Sequence, residues 1–333
     1  MMNKAFISTY RDALILAPAI LFIIAQANNS QTLAQQRRRA RATAAVSANS
    51  ATPRVSASTR SLTISTEPLA TIWLDEVQRG KTDQTGKLNL TKVSTGRHTL
   101  RVRAAGFSER SLPVLPAQRG LVAVKLTRTA DKGELAFQEA EALREKARDD
   151  EARQAAKGAY QRAIALRPAS LAAAHVGLAR VLLDLNDYNG AMQEIAAARR
   201  VRPVYPEASA VEGRILREDA DPTGAITAFR RSIREARGFQ PEAHTGLARV
   251  YEDQARYADA AAEFRTAIAQ LSDAEPALYQ LLGAAYEKME KYKEAVAAYE
   301  KYLQLAPEGT YASAIRSILD QLKIQAAEQA ATP

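Results

Sequence analysis

Three patterns of apolar and polar positions follow one another along the chain. Near the start, an unbroken apolar run extends from Ala13 to Ala25. Between residues 61 and 126, short bursts alternate or carry β-branched residues: Leu62-Thr-Ile64, Thr71-Ile-Trp-Leu74, Leu88-Asn-Leu90, Thr99-Leu-Arg-Val102 and Leu121-Val-Ala-Val-Lys-Leu126. Gly80, Gly86, Gly96, Gly106 and Gly120 punctuate them. A period of two broken by glycines predicts strands and turns, here a small antiparallel β-sandwich. From Glu134 the period is helical.

Within that helical part a stripe of Ala-x3-bulky-x2-small returns every 34 or 35 residues: Ala156/Tyr160/Ala163, Ala191/Ile195/Ala198, Ala225/Phe229/Ser232, Ala260/Phe264/Ala267 and Ala295/Tyr299/Tyr302. Its members fall at i, i+4 and i+7, on one helix face. A fixed period of this length means one helix pair stacked on copies of itself. The first helix of each pair offers a small residue (Ala179, Gly213, Ala248 or Gly283), which lets the striped second helix approach. Pro206, Pro241 and Pro276 stand where first helices should begin, a position at which the missing N–H has no helical partner. The fold class is therefore multidomain: a small all-β sandwich over residues 61–129, then an all-α solenoid of five units over 134–309. Ile315, Ile318, Leu319 and Leu322 predict a capping helix over 310–328. Such an array offers a long surface, and the expected function moves from catalysis to binding.

Lys4, Arg11, the apolar run and Ala25-Gln-Ala27 are the three parts of a secretory signal, predicting export and cleavage after Ala27. The run makes about 20 Å of helix, short of the ~30 Å hydrocarbon core. The alternative is an uncleaved anchor, because Asp12 and the cluster Arg37, Arg38, Arg39 and Arg41 flank the run, the cluster on the side that must translocate. Residues 28–60 have almost no large apolar side chains and predict a disordered basic linker.

Charge is divided between the halves. Residues 28–60 carry six arginines and no acid, 61–130 carry eleven basic and five acidic residues, and the rest is mildly acidic. Arg97, Arg101 and Arg103 alternate with Leu100 and Val102, which predicts a solvent-facing basic stripe. With the linker arginines it forms a candidate surface for an anionic envelope polymer or a membrane; nucleic acid ranks behind both. There is no cysteine, and the three histidines share no metal-ligand spacing. No phosphate loop, dinucleotide fingerprint or nucleophile elbow is found. No cofactor, metal, small-molecule substrate or enzymatic activity is expected.

Two stretches resemble known families. Glu67-Pro-Leu-Ala70, Thr71–Asp75, Gly80-Lys-Thr82, Gly96-Arg-His-Thr-Leu100 and Gly106-Phe107 are similar to the PEGA domain, a small sandwich of exported bacterial proteins. Leu69, Glu76 and Asp83 depart from its turn pattern. The helical units resemble the tetratricopeptide repeat, best over Leu247-Ala248-x2-Tyr251…Phe264 and Tyr279-x2-Leu-Gly283-x2-Tyr286…Tyr299…Pro307. Glu212, where a core leucine is expected, and Pro222 depart from it. The resemblance implies a concave groove lined by first helices and a protein or peptide partner. It places Arg180, Arg214 and Arg249 at equivalent groove positions, with Arg217 one turn beyond Arg214. Such a ladder would grip carboxylates of a partner, or else pair with neighbouring acids such as Glu218, Glu252 and Asp253. An exported bacterial adaptor of the cell envelope is the implied role.

Overall fold

A computed structural model describes residues 59–75, 77–167, 171–271 and 275–331. The signal-like segment and most of the basic linker, with Arg37, Arg38, Arg39 and Arg41, lie outside the described residues. Ser58–Pro333 cluster as one compact unit.

Among the described residues seven strands form two sheets: β1 (Thr59–Ser65), β2 (Thr71–Leu74), β3 (Val77–Lys81), β4 (Lys87–Ser94), β5 (His98–Arg103), β6 (Arg110–Val114) and β7 (Gly120–Ala123). One sheet runs β4-β1-β7 and the other β3-β2-β5-β6. Alternation works as expected for Leu62, Ile64, Ile72, Leu100 and Val102, all fully buried between the sheets. The expected all-antiparallel pairing does not hold, because β7 lies parallel to β1. The cause is the β6–β7 crossover, which is drawn across to β1. The Arg60 guanidinium donates to the carbonyls of Leu115, Pro116 and Gln118, and to Gly96. Thr59 and Arg60 are thus strand residues rather than linker, and Arg60 is buried. The edge strands β3 and β6 escape an apolar pattern. β3 has one large apolar residue, and β6 carries Pro113, which a sheet tolerates at its edge.

Leu69 and Asp75 adopt left-handed backbone at φ 57° and 52°. Leu69 thus holds, without being glycine, a backbone conformation that glycine adopts most easily.

Five helix pairs follow: α1 (Lys132–Lys146) with α2 (Asp150–Leu166), α3 (Ala172–Asp184) with α4 (Tyr188–Val201), α5 (Pro206–Glu218) with α6 (Pro222–Glu235), α7 (Pro241–Asp253) with α8 (Tyr257–Leu271), and α9 (Ala277–Lys288) with α10 (Tyr292–Leu305). α11 (Ala312–Ala331) packs on α10 through Ile315 and Leu322. Side chains of Asp131, Asp149, Asp187 and Asp221 cap helix N-termini. Pro222 opens α6 as its first residue. Glycines receive aromatic rings: a Cβ on Gly177 would stand 2.3 Å from the Tyr160 ring, and one on Gly246 2.3 Å from that of Phe229.

Glu212 has its own account. It pairs with Arg231 and lies 3.5 Å from Arg199, while buried Ser209 donates to Glu235. This polar cluster replaces apolar packing where α4, α5 and α6 meet. The repeat core divides here, into one cluster ending at Ile215 and another beginning at Ala225.

Candidate functional site

First helices of consecutive units touch one another, α1 with α3, α3 with α5 and α5 with α7. They therefore form the inner wall of the superhelix, the surface solenoids use for binding. Each predicted groove arginine lies on this wall, but the four do not form one continuous ladder.

Arg180 on α3 is mostly covered and pairs with Glu207 on α5 and, at 3.2 Å, with Glu242 on α7. Burial would lower its pKa, yet Glu242 and Glu207 raise it well above the usual arginine value. Burial likewise pushes Glu207 up, but Arg180 and then Arg101 hold it down at about 2. Tyr205 donates to the same carboxylate at 3.1 Å.

Arg214, Arg217 and Arg249 come together further along. They line a cleft of about 500 Å³ whose floor includes Phe229, Gly246 and Leu278. Each also has an acid nearby: Arg214 lies 3.9 Å from Glu242, Arg217 2.7 Å from Asp253 and 2.9 Å from Glu218, and Arg249 3.4 Å from Glu252. Arg214 and Arg249 remain more than two-fifths exposed, so these pairs are weak and exchangeable. Burial raises Glu252 against the pull of Arg249.

What separates Arg180 from the others is the sandwich. Its sheet β3-β2-β5-β6 turns its outer face to the repeats. Arg101 stacks over Trp73 at 4.1 Å, and Arg103 over Phe137 of α1 at 4.3 Å. Arg79 lies 4.3 Å over Phe239 in the α6–α7 loop, where burial, opposed by Asp75, lowers its pKa to about 10. Lys81 pairs with Glu145 at 2.7 Å, and Gln138 bonds to the backbone of Gly106 and Phe107. Trp73 and Val77 face Arg180 and Glu207 across a gap of about 100 Å³.

The expected solvent-facing stripe is accordingly corrected. Arg101 is 5% exposed, and Arg103 is mostly covered. Both leave the sandwich core as alternation requires, but the repeats cover that face, and Glu109 binds both guanidiniums. Arg97 alone of the three is exposed.

Trp73, Arg79, Glu207 and Phe239 were not singled out by the sequence. Trp73 carried a readable signal, since alternation with buried Ile72 puts the chain's one tryptophan outside the sandwich core. His175 and His244, equivalent in two units, hydrogen-bond Glu194 and Glu263 at 2.6 Å, and His98 bonds Asp75. Among the described residues no group of three His, Cys, Asp or Glu is placed to hold a metal, and no helix is long and apolar enough to cross a membrane.

Family models described as tetratricopeptide repeat match residues 176–241, 210–276 and 276–308. Residues 176–308 therefore match tetratricopeptide repeats, a fold that suggests a protein–protein interaction scaffold. No curated protein sequence matches it. Among solved structures, the Cut9–Hcn1 hetero-tetramer of the APC/C aligns with TM-score 0.49 and 14% identity over 58% of this chain. This chain spans only 36% of that one. TTC0263, a thermophilic TPR protein of Thermus thermophilus, aligns with TM-score 0.48 and 20% identity over 58% of this chain and 99% of its own. PilF of Pseudomonas aeruginosa gives 0.49 and 16%, over 59% and 87%.

Proposed function

We propose that the protein is a non-enzymatic adaptor of the bacterial cell envelope that binds an acidic, extended segment of a partner protein in the cleft between α5, α7 and α9. One observation carries this reading: Arg214, Arg217 and Arg249 converge on an open cleft with an apolar floor. Guanidiniums there exchange exposed intramolecular acids for partner carboxylates in bidentate geometry, while the floor takes an apolar side chain. The envelope assignment rests on the signal-like residues 1–27 and on the PEGA-like motifs around Gly80 and Gly96. A polyanion surface on the sandwich has less support, because Arg101 and Arg103 are already engaged.

Charge reversal tests the cleft. Arg214→Glu, Arg217→Glu and Arg249→Glu together should remove a specific protein from those co-isolated with the full chain from its native cell. An unchanged set of co-isolated proteins overturns the assignment. N-terminal sequencing of the mature chain tests export: a start at Asn28 supports it, and a start at Met1 with cytoplasmic recovery contradicts it.

A further inference from the structure

The surface that receives the sandwich is built unlike either core. The sandwich core contains sandwich residues alone, and the core of the first repeats contains repeat residues alone. Between them lie cations over rings, with Arg103 on Phe137 and Arg79 on Phe239, the pair Lys81–Glu145, and the charge of Arg101 acting on Glu207 beside Trp73. Interfaces of this polar kind within a chain permit relative motion of the parts. The covalent link is short, from the end of β7 at Ala123 to the start of α1 at Lys132, and Gln138 pins the sandwich beside that link. The contacts of β3 with Glu145 and Phe239 are made elsewhere on the sheet, clear of that pin.

We propose that the N-terminal half of the groove is a docking surface for the chain's own sandwich. The sandwich leaves it reversibly as a rigid body and so acts as an autoinhibitory lid. Closed, it hides Arg180 and Glu207 and leaves the Arg214 cleft open. Lifted, it adds Arg180 to the same inner wall and lengthens the groove by the face of α1, α3 and α5. This inference does not depend on what the Arg214 cleft binds, and failure of the charge-reversal experiment leaves it standing.

The chain has one tryptophan and no cysteine, so Trp73 fluorescence reports this interface without labelling. Arg79→Ala with Lys81→Ala removes two repeat-facing contacts while touching neither core. In the full chain this pair should raise acrylamide quenching of Trp73 about threefold, as expected for a low-stability contact made to open. Hydrogen exchange of the β1 and β4 amides and the helical circular dichroism should stay at wild-type values. Raising NaCl from about 0.05 to about 0.5 M should move the wild-type chain the same way, by screening the Lys81–Glu145 pair. Unchanged quenching in the variant overturns the proposal. So does quenching that rises only together with lost β1 and β4 protection, because the sandwich then unfolds rather than lifts.

Discussion

Replacing Glu207 with Gln removes the negative charge that stands between Arg180 and Arg101. The carboxylate is held at about 2 against an ordinary 4.5, by Arg180 first and Arg101 second, over the opposing effect of burial. A carboxylate whose folded pKa lies below its unfolded one stabilises the fold above the unfolded pKa and loses that contribution as pH falls toward the folded value. The shift corresponds to roughly 3 kcal/mol at pH 7. By pH 3 the same linkage leaves less than half of that. Glu207 also sits in the first turn of α5, where a negative charge gains a further few tenths of a kcal/mol from the helix dipole. In the variant, Arg180 keeps its direct pair with Glu242, at 3.2 Å, and the more distant charge of Glu141. Urea unfolding followed by helical circular dichroism should therefore show E207Q destabilised by about 3 kcal/mol at pH 7, with the gap to wild type at least halved at pH 3. A loss below about 1 kcal/mol at pH 7, or one that does not change with pH, would refute the assigned ion-pair network.

Four other substitutions probe the array. Ala220 and Ala255 hold left-handed backbone in inter-helix turns, at φ 59° and 56°, so A220G and A255G should each raise the unfolding free energy read from urea titration by about 0.5–1 kcal/mol. Gly246→Ala drives a Cβ to 2.3 Å from the Phe229 ring, and calorimetry should register a loss of about 1–3 kcal/mol from overpacking. Glu212→Leu restores the residue that the repeat pattern favours, yet should destabilise by about 1–3 kcal/mol because it strips Arg231 and Arg199 of a shared carboxylate. A gain in stability there would mean that the pattern outranks the polar cluster.

The helical array was legible because its information is local and repeated. Tyr160, Phe229 and Tyr299 recur at the same stripe position, and the glycines that receive them stand at two repeated places, Gly213 and Gly283 in the same unit as the ring and Gly177 and Gly246 in the next. The sandwich was legible at β1, β2, β4 and β5, whose alternation is strong, and obscure at β3 and β6, which sit at sheet edges and present few apolar residues. The parallel placement of β7 depends on Arg60 reaching residues 55 to 58 positions away, and no local pattern encodes such a reach. The groove arginines illustrate the same limit. Periodicity put Arg180, Arg214 and Arg249 in equivalent positions, but it could not tell that a sheet some hundred residues upstream in sequence lies beside the first and spares the others. Nor does alternation along β5 distinguish a face turned to water from one turned to another domain, which is why Arg101 and Arg103 read as exposed.

The most direct test of the divided groove is site-specific photo-crosslinking in the native cell. A photo-reactive residue in place of Thr245, which lines the Arg214 cleft, is compared with one in place of exposed Lys293 on α10. The account predicts a specific crosslinked protein from Thr245, absent from Lys293, and lost when Arg214 and Arg249 are changed to Glu. Equal crosslinking from both positions, or a Thr245 product indifferent to the arginine changes, would contradict it.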